Sequence, residues 1–514
     1  MSDGWRLVYE GDRPESESLR EALCTLGNGR FATRGAAEWA SDDQTHYPGT
    51  YLAGGYNRLI SEIAGREIVN EDLVNFPNWL PLTFRPDDGL ELGDTGNERR
   101  EVRQELDLRR GVLHRSFTVR DPAGRETRVA SRRIVDMADP HRGAMVLEIV
   151  PLNWSGPLRI RSGLDGAVTN NGVARYRELR GDHVAVEATG EESGGIVWLR
   201  ARTLQSDLGV CLAARTCVWM GSARDASPVV RSVEDRIDTV FELDAAAGCA
   251  IRVEKVVSLH TTRDVAHGDL VEDAVLRVRR APGFEEILAG HAAAWETLWN
   301  RYDVEVDVAS EADLQPHSMQ LILRLHIFHL LQTASTHTAE LDAGVPARGL
   351  HGEAYRGHIF WDEMYLYPFF LQRDPDLARA LLLYRYRRLD EARAAAVAEG
   401  RAGAMFPWQS GSSGREETQI IHLNPRSGTW DPDYSHLQRH VNAAVAMNVW
   451  SYVATTGDHF FLAEYGAELL CEIARFWASM AQTRDSGGFE IVGVMGPDEF
   501  HEAYPGSEEG GLGN

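Results

Sequence analysis

Near residue 500 the sequence reads "VMGPDEFHEAYPG", with two acids, Asp498 and Glu499, directly after Gly496 and Pro497. A fixed turn followed by paired carboxylates can build a general acid. Such a carboxyl donates a proton at neutral pH only if burial or a neighbouring carboxylate raises its pKa. Phe500 follows and could exclude water. Taken alone, the motif reads more plainly as an acidic turn. A second stretch, residues 348–370, is "RGLHGEAYRGHIFWDEMYLYPFF". Trp361, Asp362 and Glu363 sit there among Tyr355, Phe360, Tyr365 and Tyr367. Aromatic faces stack on the C–H patches of sugars, and carboxylates take hydroxyl hydrogens. A Trp-Asp pair offers both at one point. A helix start, where the macrodipole favours acids, explains the same pattern equally well. A third stretch begins at Trp408, Gln409 and Ser410 and enters a Gly-, Ser- and Pro-rich loop carrying Glu416 and Glu417. Long loops inside a compact domain are usually functional. Trp408, Trp430, His422 and His436 weigh against a loose surface loop.

Other chemistries find less support. His326 and His329 are three apart and His436 and His440 four apart, but H-E-x-x-H is absent. Core or solvated histidines account for these pairs better than a metal site, so no metal is expected. The five cysteines include no C-x-x-C, which argues against a disulfide framework or zinc site. "GSSG" lacks a following Lys-Ser/Thr and is not a nucleotide phosphate loop. A formal charge of −24 makes nucleic acid a poor partner. Lys255 is the only lysine, so no lysine can act near the later motifs. The start of the sequence lacks the basic and apolar regions of a signal peptide. No apolar run reaches the ~18 residues of a membrane helix. A reduced, cytoplasmic protein without membrane attachment is expected.

The length of 514 residues predicts two or more domains. Residues 1–270 read as short strands with turn signals, a sandwich-type β domain. "LHRSFTVRDPAGRETRVASRRIV" is two runs about a turn at residues 122–124. "GAMVLEIVPLNWSGPLRIRSGLDG" repeats the form. "GIVWLRARTLQSDLGVCLAARTCVWMG" and "DTVFELDAAAGCAIRVEKVVSLHTT" read as further hairpins. Residues 271–313 take helical spacing and read as a helical linker. From 314 to 514 apolar faces recur at helical period. The stretch after His440 reads as helix, Thr-Gly-Asp turn and helix, an αα-hairpin. Helix pairs in series suggest a bundle, solenoid or toroid.

Taken in order, these stretches resemble glycoside hydrolase family 65, the inverting phosphorylases of maltose, trehalose, kojibiose or nigerose. The resemblance runs nearly end to end, through "TLGNGRFATRGAAEW", "PGTYLAGGYNRL", "VNFPNWLPL", "QELDLRRGVLHR", "SGLDGAVTNNGV", "ARGLHGEAYRGHIFWDE", "FPWQSGSSGREE" and "GPDEFHE". It implies an N-terminal super-β-sandwich, a helical linker and the first part of an (α/α)6 barrel. It implies Glu499 as proton donor, Trp361 and Asp362 as the glucose-binding pair, and Trp408 and Gln409 beside them. The implied partners are a disaccharide and inorganic phosphate as co-substrate, with no other cofactor; a homodimer is one assembly it allows. The family's Lys-Gln sugar pair and phosphate-holding groups would fall beyond Asn514. The resemblance thus implies a member cut just after its acid, inactive as this fragment alone. Residues 415–437 depart from the maltose phosphorylase pattern where acceptor loops vary, so the disaccharide stays open. An inverting hydrolase of the same family and an inactive sugar-binding fragment are the rival readings.

Overall fold

The computed structural model describes residues 4–63, 65–221, 223–225, 228–265, 268–306 and 316–497. Strand Val112–Arg120 alternates buried and part-exposed side chains, the period of a strand with one face in a core. It turns at residues 121–125 and pairs antiparallel with Glu126–Val135, Arg120 opposite Glu126. Among the described residues ten such strands form one large antiparallel sheet, from Arg6–Glu10 at one edge to Val184–Glu192 at the other. Four more, Val229–Val233, Arg236–Ala245, Gly156–Asp165 and Leu82–Pro86, form a smaller sheet. Leu147, Leu212 and Val253 of the large sheet share one buried core with Leu158, Ile160 and Phe241 of the small one. The N-terminal half is therefore sheet-rich and two-layered.

Two of the four expected hairpins are something else. Ile196–Thr203 and Gly209–Met220 do pair, Ile196 opposite Arg215. Arg142–Pro151 and Gly156–Asp165, by contrast, lie in different sheets, as do Arg236–Ala245 and Ile251–Thr261. Residues 152–155 and 246–250 carry the chain from one layer to the other. An alternating run with a turn beside it fits a hairpin and a layer change equally well, because alternation fixes only which face is buried.

The stretch read as a linker is two helices, Leu270–Arg280 and Phe284–Tyr302. Asp269 caps the first by accepting the N–H groups of Val271 and Glu272. Pro282 and Gly283 separate the two. Ala274, Val275 and Val278 cover Ile196, Cys211 and Ala213. Phe284, Ile287 and Leu288 cover Val112, Ile134 and Val146. These helices thus clad the outer face of the large sheet.

Helices then dominate: Pro316–Thr333, Glu363–Arg373, Pro375–Tyr386, Leu389–Ala398, Val441–Thr456 and Ala467–Met480. The expected αα-hairpin is present. Gly457 closes its first helix at φ +67°, its N–H donating to the Val453 carbonyl. Asp458 then accepts the Phe461 N–H at 2.8 Å. Glu363–Arg373 packs on Val441–Thr456, which also packs on Ala467–Met480 and Pro375–Tyr386. No helix of the described residues is long and apolar enough to cross a membrane.

One side of Val441–Thr456 is left open. Ala443, Met447, Trp450 and Ala454 recur at helical spacing and are all exposed, Met447 by 54% and Trp450 by 62%. On the helix packed beside it Tyr365 is 63% exposed. Contiguous apolar surface of this kind exceeds scattered single residues and marks a face made to be covered. The isolated 514-residue chain should therefore bind a hydrophobic dye in its native state. Replacing Met447 and Trp450 together with Gln should cut the fluorescence at least by half. An unchanged signal from the folded double variant would place the dye, and the open face, elsewhere.

Candidate active site

Trp361 and Asp362 precede helix Glu363–Arg373. Asp362 occupies the cap position, yet its side chain makes no capping bond. The helix start expected here is present, so the macrodipole that favours acids acts on both Asp362 and Glu363. Partial burial raises the Asp362 pKa, and the nearby Arg348 charge opposes the rise. Its neighbour Glu363 is committed to structure. At 3% exposure it accepts from Arg385 Nη2 at 3.0 Å and Nε at 3.2 Å, and from the Val345 N–H at 3.2 Å.

Trp408 reaches the same place from the long loop. The Glu416 carboxylate accepts the Trp408 N–H at 2.7 Å and the Gln409 N–H at 3.1 Å. Asn442 holds the residues just before, its Oδ1 accepting the Phe406 N–H at 2.7 Å. The rings of Trp361 and Trp408 lie 6.3 Å apart. His440 fits edge-on against both, 4.5 Å from Trp361 and 5.0 Å from Trp408. Phe360 backs Trp408 at 5.4 Å. Burial lowers the His440 pKa and keeps the ring neutral at pH 7. The sequence offers His440 only as half of a histidine pair; in the structure it is the third wall of an aromatic site. Its position just before helix Val441–Thr456, matching that of Trp361 and Asp362 before Glu363–Arg373, is the signal that could have found it.

A cavity of about 490 Å³ adjoins His440 and is lined also by Arg439, Trp477, Met495, Gly496 and Pro497. The Met495 N–H donates to the Leu437 carbonyl at 3.0 Å and docks this segment. Asp498 and Glu499 lie outside the described residues. The two residues immediately before Asp498, however, line the cavity that His440 lines.

The loop that begins at Trp408 is fastened to the β half. Ser412 donates its N–H to Glu71 Oε2 at 2.9 Å, and its hydroxyl to Glu71 Oε1. Arg58, on the strand paired with that of Glu71, ion-pairs with Glu417. Trp430 Nε1 donates to Glu178 at 2.9 Å. Ile421 packs with Ile63, Ile68 and Leu179. The Glu71 carbonyl lies 2.9 Å from His358 Nε2, and Gln409 Oε1 lies 3.0 Å from its Nδ1. Burial pushes the His358 pKa down to about 3. A neutral ring has one N–H, so in either tautomer it goes to one of these two oxygens, the Glu71 carbonyl or Gln409 Oε1. Gln409 thus lies against the wall of the site. Tyr355, Arg356 and Gly357 take φ of 55°, 53° and 68° in succession. Two non-glycine residues in the left-handed region are costly and persist where surroundings hold them. Here Arg356 donates to the Glu417 carbonyl, and Tyr355 packs on Phe360 at 5.3 Å.

Sequence reasoning missed this seam, and with it Glu353, whose buried carboxylate accepts from Tyr47, Tyr51 and the Gly172 N–H. Metal-like groupings occur among the described residues only in the β half, at His141, His260 and Asp264 and at Glu17, Glu21 and His46. The carboxylates in both are already engaged, Asp264 by Arg30, Glu21 by the Tyr47 N–H and Glu17 by Arg115 at 3.7 Å.

The family model described as "Glycosyl hydrolase family 65, N-terminal domain" matches residues 7–298, and "Glycosyl hydrolase family 65 central catalytic domain" matches 324–507. The chain belongs to glycosyl hydrolase family 65. It is 46% identical over its whole length to an uncharacterised glycosyl hydrolase of Mycobacterium tuberculosis and covers 38% of that protein. It is 35% identical to a trehalose 6-phosphate phosphorylase of Lactococcus lactis, over 98% of this chain and 63% of the other. A kojibiose phosphorylase of Thermoanaerobacter brockii is 31% identical, over 97% and 63%. In fold it matches a solved putative kojibiose phosphorylase from the human microbiome, TM-score 0.82 at 21% identity, over 97% of this chain and 63% of that one. The chain thus spans about two-fifths to three-fifths of the length of these relatives.

The seam makes a pH prediction. Burial and the nearby Glu71 charge raise the Glu417 pKa to about 7. An acid raised above its unfolded value binds more protons when folded, so stability falls as pH rises from about 4.5 to 7. Glu417→Gln should flatten the decline of folding stability between pH 5 and 8, read from denaturant midpoints. An undiminished slope in the variant would exclude Glu417 as its source.

Proposed function

We propose that this chain carries the donor-sugar side of an inverting phosphorylase of an α-linked glucobiose. The observation that carries the reading is the convergence of Trp361, Trp408 and His440 with the segment leading to Glu499, beside an Asp362 carboxylate not used as a helix cap. Phosphorylases acting on trehalose 6-phosphate and kojibiose among the relatives support it. In this reading Trp361 and Trp408 hold the C–H faces of the non-reducing glucose. Asp362 and Gln409 bind its hydroxyls and fix the anomeric carbon for attack. Glu499 gives its proton to the glycosidic oxygen. Inorganic phosphate attacks the anomeric carbon from the opposite face as that bond breaks. The products are β-glucose 1-phosphate and the free acceptor sugar. Phosphate is already anionic, so no carboxylate base is needed, unlike the pair of an inverting hydrolase.

Product analysis of the full reading-frame protein with maltose, trehalose, kojibiose and trehalose 6-phosphate tests this. Phosphate-dependent release of β-glucose 1-phosphate is expected; glucose released at equal rate without phosphate would make the protein a hydrolase. Glu499→Gln should lower kcat by about 10²–10⁴ with folding intact. Near-normal turnover would move the acid, first to Asp498. Asp362→Ala should weaken substrate binding as well as turnover, because a sugar hydroxyl loses its buried partner. Unchanged KM in that variant would remove Asp362 from the pocket.

A further inference from the structure

The hairpin of strands Tyr56–Ile63 and Arg66–Leu73 grips the long loop at two points. Arg58 and Glu71 stand opposite each other in its register. Glu71 takes the N–H and hydroxyl of Ser412, and Arg58 takes the Glu417 carboxylate further along the loop. The Glu417 N–H in turn donates to the Gln409 carbonyl at 3.0 Å. The residue before it, Glu416, holds the N–H groups of Trp408 and Gln409. A shift of Glu417 is therefore passed directly to two residues of the candidate pocket.

Positive charge is scarce where the two carboxylates meet. The side chains of Glu71 and Glu417 are only 4% and 5% exposed, and Arg58 Nη2 reaches both, 3.6 Å from Glu71 Oε1. Among the described residues no other cation bonds either carboxylate. Arg356 donates to the Glu417 backbone carbonyl, and Arg263 to that of Gly54. Arg388 donates to the Ser412 carbonyl at 2.6 Å and to Asp342 at 2.9 Å. Asp72, next on the strand, accepts from Asn70 and lies 3.5 Å from His183. Burial keeps the His358 and His183 rings neutral. Tyr56 gives its hydroxyl proton to the Gly357 carbonyl. Two buried carboxylates thus share one guanidinium. With both ionised, one buried negative charge is left without a partner, which is costly. Uptake of one proton removes it.

We infer, resting on the donor-sugar reading above, that Arg58, Glu71 and Glu417 form a proton-sensitive latch and that Arg58 is a positioning residue for Trp408 and Gln409. With Glu417 protonated the seam is balanced and the loop is held. With Glu417 ionised it repels Glu71, the loop opens more often, and the grip on the sugar loosens. The closed loop binds the proton more tightly than the open one, so opening grows as pH rises through about 7.

Hydrogen exchange over residues 409–418 of the full reading-frame protein, corrected for intrinsic rates, reads this opening directly. Protection should fall about tenfold from pH 6 to pH 8. Glu417→Gln should hold it level. Arg58→Gln removes the charge that opposes the rise of Glu417 and should move the midpoint of the response to higher pH. Arg58→Lys keeps the charge and should return it. KM for the disaccharide should rise about threefold or more over the same range in the wild type and not in Glu417→Gln, while the ratio of their kcat values stays constant. An equal exchange response in the wild type and Glu417→Gln would overturn the inference. So would one midpoint shared by the wild type and Arg58→Gln, or an equal rise of KM in the wild type and Glu417→Gln. The exchange measurement needs neither sugar nor phosphate. A protein that hydrolysed the disaccharide, or turned over none, would therefore fail the proposed function and leave this test intact.

Discussion

The buried carboxylate of Glu71 is the contact on which the site depends. It stands on a strand of the β half and accepts both the backbone N–H and the hydroxyl of Ser412, in the loop of the helical half. A buried carboxylate is costly unless its lone pairs are met, and here Ser412 meets them with Arg58 close by at 3.6 Å. The approach is tight enough to demand glycine at 411, where a Cβ would fall 1.8 Å from Glu71 Oε2. The His358 ring bridges that strand and the loop, with the Glu71 carbonyl 2.9 Å from Nε2 and Gln409 Oε1 3.0 Å from Nδ1. One anchor therefore fixes both the stretch before Trp361 and the stretch after Trp408. If Glu71 shifted, the two tryptophans would lose their common frame.

This arrangement explains why the helical half is not a free-standing scaffold for its own site. Tyr56 donates to the Gly357 carbonyl, and Tyr47 and Tyr51 close on Glu353. The left-handed run at residues 355–357 is thereby held from the β side and from Glu417 at once. Backbone strain of this kind lasts only where the surroundings over-determine it. The sheet domain acts as the jig that sets the loops ahead of helices Glu363–Arg373 and Val441–Thr456.

What the sequence made legible was local. Alternation marked strand Val112–Arg120 and its partner, and a Thr-Gly-Asp turn marked the αα-hairpin. Trp361, Asp362 and Trp408 stood out because aromatic and acidic residues were denser there than a core needs. Membership of one sheet or the other was not legible at Gly156–Asp165 or Arg236–Ala245, because period two is the same in both layers. The anchors were not legible either. Glu71 and Ser412 are 341 residues apart, and nothing near either one announces the other. The side chain of His440 looked like any polar residue ahead of a helix until its ring was placed against two tryptophans.

The two adjacent acids, Asp362 and Glu363, show how a chain frees one carboxylate by binding the next. Glu363 is saturated by Arg385 and the Val345 N–H, which pins the first turn of its helix. With the turn fixed, Asp362 is spared from capping and stands half-buried beside Trp361. Burial pulls it towards its neutral form and Arg348 pulls it back. Glu416 does the same in the long loop, its oxygens accepting the N–H groups of Trp408 and Gln409 so that their side chains need not hold the loop. The acids that hold these walls, Glu363 and Glu416, are thus separate from Asp362, whose side chain makes no capping bond. A substitution at Glu363 or Glu416 would disturb the site by moving its walls.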